Sequence, residues 1–415
     1  VQNYENESKW NKIVGCCPPA RKFQQICHRF MISFDNTEVA FRHKSDFELS
    51  KSYWLFRLIG NPFMVKTGKV LVNLALKLHI PIGWALRRNI FSQFCGGETI
   101  EQCARATKVL DAQKVGTILD YSVEGKEEEV NFDHTAEEIL HTIQTAQGNV
   151  NIPFCVFKVS GISRSSLLQK VNKGSQLTSA EESEWKKVKE RINRLAHAAW
   201  TTDTPLFIDA EETWFQDAID GLVYELMALY NKEKAIVFNT LQMYRHDRLD
   251  HLQKLLEIAG DKYFLGFKLV RGAYMEKERA EAETEGYTSP IQKDKAACDH
   301  DFDAALTFCV KNINRISICA GTHNEQSSAH LVQLMNEAGL KANDNRIWFA
   351  QLFGMSDHIS FNLSNAGYNV AKYVPYGPIS EVIPYLIRRA EENTSVKGQT
   401  GRELSLISEE RKRRK

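Results

Sequence analysis

Phe154–Val159, FCVFKV, sets five apolar residues around one lysine in a run too short for a helix. It does not alternate strictly, which suits a strand buried on both faces of a parallel sheet. Gly116–Asp120 (GTILD) precedes it with the same character. Leu206–Asp209 (LFID), Ala235–Asn239 (AIVFN), Phe264–Val270 (FLGFKLV), Ile316–Ala320 (ISICA), Arg346–Ala350 (RIWFA) and Asn369–Val374 (NVAKYV) follow it. Segments of helical period lie between and after these runs. They are Thr135–Gln147, Ser179–Ala199, Trp214–Asn231, His246–Ala259, His300–Asn312, Ser327–Ala338, Ile359–Ala366 and Ser380–Asn393. Strand–helix alternation repeated eight times predicts an α/β fold, a (β/α)8 TIM barrel. An open doubly wound sheet is the alternative. No GxGxxG or GxxxxGK phosphate loop follows any run, which disfavours it.

Barrel enzymes place their chemistry at the C-terminal ends of the strands. The polar residues there are Asp120, Lys158, Asp209, Gln242, Arg271, the triplet Thr322-His323-Asn324, Gln351 and Tyr373. Any one of them alone reads as an ordinary loop residue. Eight strands converging on one mouth turn the set into a candidate site.

After the eighth run comes Tyr385–Asn393, YLIRRAEEN. At about 100° per residue, Ile383, Leu386, Ile387 and Ala390 line one side of this helix, and Tyr385, Arg388, Arg389 and Glu392 the other. Two arginines beside a tyrosine can grip a small carboxylate through charge-assisted, bidentate hydrogen bonds. Taken alone, the stretch reads more simply as a solvated face with an Arg388–Glu392 pair worth about 0.3–0.5 kcal/mol. The barrel mouth beside its first turns supplies something for it to face.

Composition narrows the classes. A net charge of +1 over 415 residues excludes a nucleic-acid role driven by a general basic field. Only Arg411–Lys415 is strongly basic, and it reads as a solvated tail. Nine cysteines without a CxxC pair fit a reducing compartment. His246, His251, His323 and His330 form no HxxxH or HExxH set, so no metal is expected. No GxSxG elbow is present either. The mouth is rich in cations (Lys158, Arg271, Arg388, Arg389), a profile for an anionic cofactor and a carboxylate substrate. The residues alone do not name that cofactor.

Four regions are expected: a poorly ordered extension over 1–30, with Met31 available as an internal start, a helical arm over 31–110, the barrel over 111–395 and a basic tail over 396–415. Val70–Leu86 is too polar to span a membrane, since it contains Asn73, Lys77, His79 and Pro81. With Lys66, Lys69, Lys77, Arg87 and Arg88 around it, it could lie on a membrane surface or pack on the barrel.

KLVRGAYMEKER (Lys268–Arg279), GTHNEQS (Gly321–Ser327), KYVPYGP (Lys372–Pro378) and YLIRRAEEN together resemble the proline dehydrogenase family, with further matches at FKVSG, FIDAEET and LQMYRHDR. The resemblance spans roughly Phe91–Asn393 and looks like the monofunctional form. It implies oxidation of L-proline to Δ1-pyrroline-5-carboxylate with FAD, in a distorted barrel whose last helix lies over the strand ends. It also implies electron transfer to a membrane quinone, ubiquinone or menaquinone. The location would be the cytoplasmic side of a bacterial inner membrane or the mitochondrial inner membrane. Carried over by motif, Arg388, Arg389 and Lys158 would hold the proline carboxylate, and Glu124 would close over it by pairing with Arg388. Tyr373 and Tyr385 would pack on the ring, and Asp209 would hold the polar network. Arg271 would sit near the reacting edge of the flavin. Gln242, Gly272, Ala273, Tyr274, Lys295, Thr322, His323, Asn324, Gln351 and Glu392 would complete the flavin site. A tyrosine at 373 favours proline over hydroxyproline by steric exclusion. Hydroxyproline oxidation and a non-catalytic anion-binding barrel are the rival readings.

Overall fold

The computed structural model describes residues 32–78, 83–122, 128–395 and 399–415. Eight parallel strands close a barrel in sequence order, β1 Gly116–Tyr121, β2 Phe154–Lys158, β3 Leu206–Asp209 and β4 Val237–Gln242, then β5 Leu265–Val270, β6 Ile316–Gly321, β7 Ile347–Leu352 and β8 Val370–Tyr376, with β8 returning to β1. The α/β barrel expected from the alternating runs is the fold of the chain. Along each strand the side chains alternate between two cores. Leu265, Phe267 and Leu269 face the surrounding helices, in one cluster with Ile208, Leu241 and Ile318. Ile118, Phe154, Val156, Phe207, Phe238, Cys319, Ala350, Ala371 and Tyr373 fill the inside.

The inner core is aromatic at its floor. Phe154 stacks on Phe207 with ring centres 4.3 Å apart, and Phe238 and Trp348 meet Phe154 edge-on. Continuing the inward alternation from that floor brings Lys158, Asp209, Gln242 and Lys268 to the upper layer. The lower part of the barrel is therefore a dry plug, and the polar groups are gathered above it.

Helices outside the repeat cover that upper end. Asp46–Ile59 begins with a reciprocal cap between Ser45 and Glu48, and Pro62–Lys77 follows it. Phe56, Phe91 and Phe94 from this arm join Val382, Tyr385 and Leu386 of helix Ile379–Ser395 in a second apolar cluster. The arm also clasps the loop after β7. Gln93 Nε2 donates to Gly354 O at 2.8 Å, and a Cβ at residue 354 would lie 1.9 Å from Gln93 O. With φ of 74°, that position suits glycine on both counts.

One expectation is corrected here. Residues 399–413, anticipated as part of a basic tail, form a helix. Leu406 and Ile407 are fully buried against the arm. The basic end is neutralised locally: Arg413 and Arg414 bind Glu410, and Arg414 also reaches Asp46 at 2.9 Å. Glu410 is buried, and these arginine bonds hold its carboxyl at about 2. The extension over residues 1–30 lies outside the described residues.

Candidate active site

Asp209, the last residue of β3, is the centre of the polar layer. Lys268 Nζ bonds its Oδ1, Tyr373 donates its hydroxyl hydrogen to Oδ2 at 2.6 Å, and Lys158 Nζ lies 3.5 Å from Oδ2. Burial alone would raise the Asp209 pKa, but Lys268 and Lys158 outweigh it and hold the carboxyl below its ordinary value. Burial, together with the nearby acids Asp120 and Asp209, pushes the Tyr373 phenol well above its ordinary value. Asp209 is thus an ionised anchor and Tyr373 a permanent donor. Lys268 also lies 4.9 Å from the Tyr373 ring centre and 5.4 Å from that of Phe207, a cation against two aromatic faces.

Lys268 is the residue that sequence reading missed. The strand-end rule selected Arg271, yet the charge that enters the barrel stands inside the run FLGFKLV. A lysine in a strand buried on both faces was itself the signal, because it demands a partner.

Arg271 lies at the rim. Its Nε donates to Asp299 at 2.6 Å, and its two terminal nitrogens donate to Thr322 Oγ1 at 2.7 Å and Ser327 Oγ at 2.9 Å. The guanidinium carbon is 4.4 Å from the Phe302 ring centre. Lys295, exposed at the start of helix Lys295–Lys311, binds the same Asp299. Gly272 and Ala273 are exposed, and Gly272 has φ of 123° with the Tyr244 ring 2.7 Å from where a Cβ would stand. Tyr274 occupies the N-terminal cap position of helix Met275–Glu285. Arg271, Lys295, Thr322 and the Gly272–Tyr274 turn therefore form one rim.

The remaining residues divide. Gln242 Nε2 donates to Glu211 O at 2.7 Å. Asn324 caps helix Glu325–Glu337 through Ser327 N, and Gln351 is held between Thr322 O and Ser360 Oγ. His323 bonds Ser356 Oγ at 2.9 Å through Nδ1, and burial, followed by the charges of Lys372, Arg389 and His358, pushes its pKa down to about 3. The imidazole is therefore neutral.

In helix Ile379–Ser395, Arg389 is buried with its guanidinium carbon 5.1 Å from the Tyr385 ring centre. Arg388 is half-buried. The charge of Arg389 acts on His323, and Tyr385 acts on Tyr373, which ties this helix to the mouth. Glu124 lies outside the described residues, and so does the side chain of Glu392.

A second residue not foreseen is Glu211, beside Asp209. It is buried and accepts Ser160 N at 2.9 Å together with the Ser160 hydroxyl. Burial raises its pKa to about 7 despite those bonds. Its side chain thus fixes the turn that follows Lys158, while its carbonyl fixes Gln242.

A family model described as proline dehydrogenase matches residues 103–402. The chain belongs to the proline dehydrogenase family. Carbapenem antibiotics biosynthesis protein CarD of Pectobacterium carotovorum subsp. carotovorum is 34% identical, over 78% of this chain and 84% of its own length. Proline dehydrogenase 1, mitochondrial, of Dictyostelium discoideum is 31% identical, over 91% of this chain and 74% of its own. Among solved structures, proline utilization A from Bdellovibrio bacteriovorus, inactivated by N-propargylglycine, superposes with a TM-score of 0.67 at 18% identity. That match covers 91% of this chain and 38% of the longer one, and the likeness is one of fold. As a member of the proline dehydrogenase family, the chain is an oxidoreductase of proline catabolism. The family match begins inside helix Ile100–Asp111 and ends at Arg402. Most of the arm and most of the C-terminal helix therefore lie beyond it.

Proposed function

We propose that the chain oxidises L-proline to Δ1-pyrroline-5-carboxylate with FAD and passes the electrons to a membrane quinone, ubiquinone or menaquinone. The observation that carries this reading is the layer of Lys158, Asp209, Lys268 and Tyr373 facing Tyr385 and Arg389 above a dry aromatic floor. It offers cations for one carboxylate and aromatic walls for a small ring. Lys158, Arg388 and Arg389 bind the carboxylate. Asp209 is held ionised and fixes Lys158 and Tyr373. The substrate amine loses its proton before the ring carbon is oxidised or together with it.

The rim fits a flavin. A cofactor carrying phosphates needs cations and polar hydrogens, and Arg271, Lys295, Thr322 and Asn324 offer both beside an exposed Gly272–Ala273 backbone, with the neutral His323 ring packing next to them. Gln242, Tyr274, Gln351 and Glu392 belong to the same reading, with Glu124 as the gate over substrate. When bound, a flavin would supply the acceptor for the hydride leaving the carbon beside the ring nitrogen.

The arm supports a peripheral membrane position. Between Leu49 and Gly97 the chain has seven lysines and arginines and no acidic residue. Phe63, Val70, Leu71, Leu74, Leu78 and Trp84 are exposed there, Phe63 at 72% and Trp84 at 71%. Among the described residues no helix is long and apolar enough to cross a membrane. Exposed apolar groups among cations fit an interfacial helix on an anionic leaflet, on the cytoplasmic side of a bacterial membrane or at the mitochondrial inner membrane.

The test is an anaerobic absorbance scan of the purified protein. L-Proline should bleach a flavin spectrum and D-proline should not. A colourless protein, or a spectrum indifferent to L-proline, would refute the proposal.

A further inference from the structure

The loop after β7 is pinned at four consecutive backbone positions. Phe353 N donates to Tyr373 O at 2.9 Å, and Gln93 holds Gly354 O from the arm. Lys372 Nζ bonds Met355 O, and Ser356 N donates to Glu403 Oε2 at 3.0 Å. Glu403 belongs to the C-terminal helix, one residue past the end of the family match. It is buried, so its bond to an equally buried amide is made without competition from water.

Ser356 stands in the left-handed region, at φ 50° and ψ 43°. A residue with a Cβ is strained there and stays only where its surroundings hold it. Its N–H is held by Glu403, and its hydroxyl meets His323 Nδ1 at 2.9 Å. On the other side of the ring, Leu352 N faces His323 Nε2 at 3.5 Å. The neutral ring accepts there and carries its hydrogen on Nδ1, donating to Ser356 Oγ. A chain of contacts thus runs from the C-terminal helix through one strained residue to a residue of the flavin rim.

Further side chains hold the same junction. Lys44 of the arm and Lys372 of β8 bind Asp357 at 2.8 and 3.0 Å. His358 bonds Glu325 at 3.0 Å, and Arg402 bonds Glu325 at 2.8 Å. The helix is thereby attached to the start of helix Glu325–Glu337, directly after the Thr322-His323-Asn324 triplet.

We propose that Glu403 is a positioning residue, which orients the His323 imidazole toward the flavin by holding Ser356 in its left-handed conformation. The C-terminal helix is then part of the cofactor site, although none of its residues need touch the cofactor. This rests on the reading of the chain as an FAD enzyme.

The test is a cycle of full-length holoproteins: wild type, Glu403→Ala, His323→Ala and the double variant, read by the FAD dissociation constant. Glu403→Ala should raise that constant about tenfold, and His323→Ala should remove most of this effect. Glu403→Gln keeps an acceptor for Ser356 N–H and should bind FAD within about threefold of wild type. Ser356→Ala leaves the backbone bond intact and cuts the link to His323, so it should weaken FAD as Glu403→Ala does, even if that variant fails to fold. Equal losses with and without His323, or unchanged FAD binding in Ser356→Ala, would overturn the proposal. Wild-type protein that binds no FAD would instead refute the functional reading beneath it.

Discussion

Tyr373 donates its hydroxyl hydrogen to Asp209 Oδ2 across 2.6 Å, joining β8 to β3 over the barrel mouth. The bond fixes the phenol in place, so the aromatic wall it forms cannot swing aside for a larger ring. Tyr373→Ser should therefore shift the ratio of kcat/KM for trans-4-hydroxyproline over L-proline upward by about 10–100-fold. Tyr373→Phe keeps the wall and loses the bond, and should fall between the two. An unchanged ratio in Tyr373→Ser would show that the wall does not select the ring.

Lys268 is one of two cations on the Asp209 carboxylate, and it is buried. Removing it leaves a buried anion short of charge, which costs about 3–5 kcal/mol when a buried pair is broken. Lys268→Met should lower the denaturation midpoint sharply, and Lys268→Met with Asp209→Asn should recover part of the loss. Proline turnover should stay impaired in the pair. Additive destabilisation, measured by denaturant unfolding, would separate the two residues energetically.

Arg388 and Arg389 differ in setting although they are adjacent. Arg389 is buried against Tyr385, while Arg388 is half-buried. Charged hydrogen bonds are worth about 1.5–3 kcal/mol, so Arg389→Met should raise KM for proline about 10–100-fold, with a smaller rise for Arg388→Met. Steady-state kinetics decide it, and an unaltered KM in both variants rules out a carboxylate clamp.

The barrel was legible because runs such as FCVFKV are buried on both faces, and few other structures use so short an apolar run so often. Strand ends were legible for the same reason, since the alternation that fills the inside also aims Lys158 and Asp209 upward. Lys268 escaped because the rule looks after a strand, and this charge lies within one. The C-terminal helix escaped because Leu406 and Ile407 are sparse among charges, and its buried acids Glu410 and Glu403 find partners 373 and 47 residues away. Ser356 gave no signal at all: a serine in the left-handed region looks like any other serine in sequence.

On the arm, the absence of acids between Leu49 and Gly97 has a direct consequence for membranes. Each lysine near an anionic surface contributes about 1 kcal/mol. Lys66→Glu with Lys69→Glu and Lys77→Glu should therefore weaken binding to phosphatidylserine vesicles by at least about 100-fold in a flotation assay. Salt should weaken the wild type as well. Equal flotation of wild type and triple variant excludes this face as the docking surface.

Glu211 offers a pH signature. Its pKa in the folded chain is raised from the ordinary 4.5 to about 7 by burial, so between those values the folded state holds a proton that the unfolded state has released. Stability from this group is complete below about pH 4.5 and falls as pH rises through 7. Glu211→Gln keeps the shape and an acceptor for Ser160 N–H but cannot ionise. The stability difference, variant minus wild type, should rise between pH 5 and 8 by up to about 3 kcal/mol. Denaturant unfolding at several pH values measures it, and the subtraction removes every other titrating group that the substitution leaves undisturbed. A flat difference would mean that Glu211 is already ionised at pH 5, so that its bonds to Ser160 outweigh burial. Kinetics carry the second half of the prediction. Because the Ser160 turn follows Lys158, freezing Glu211 in its neutral shape should flatten the pH dependence of proline KM near 7 while leaving kcat at low pH close to wild type.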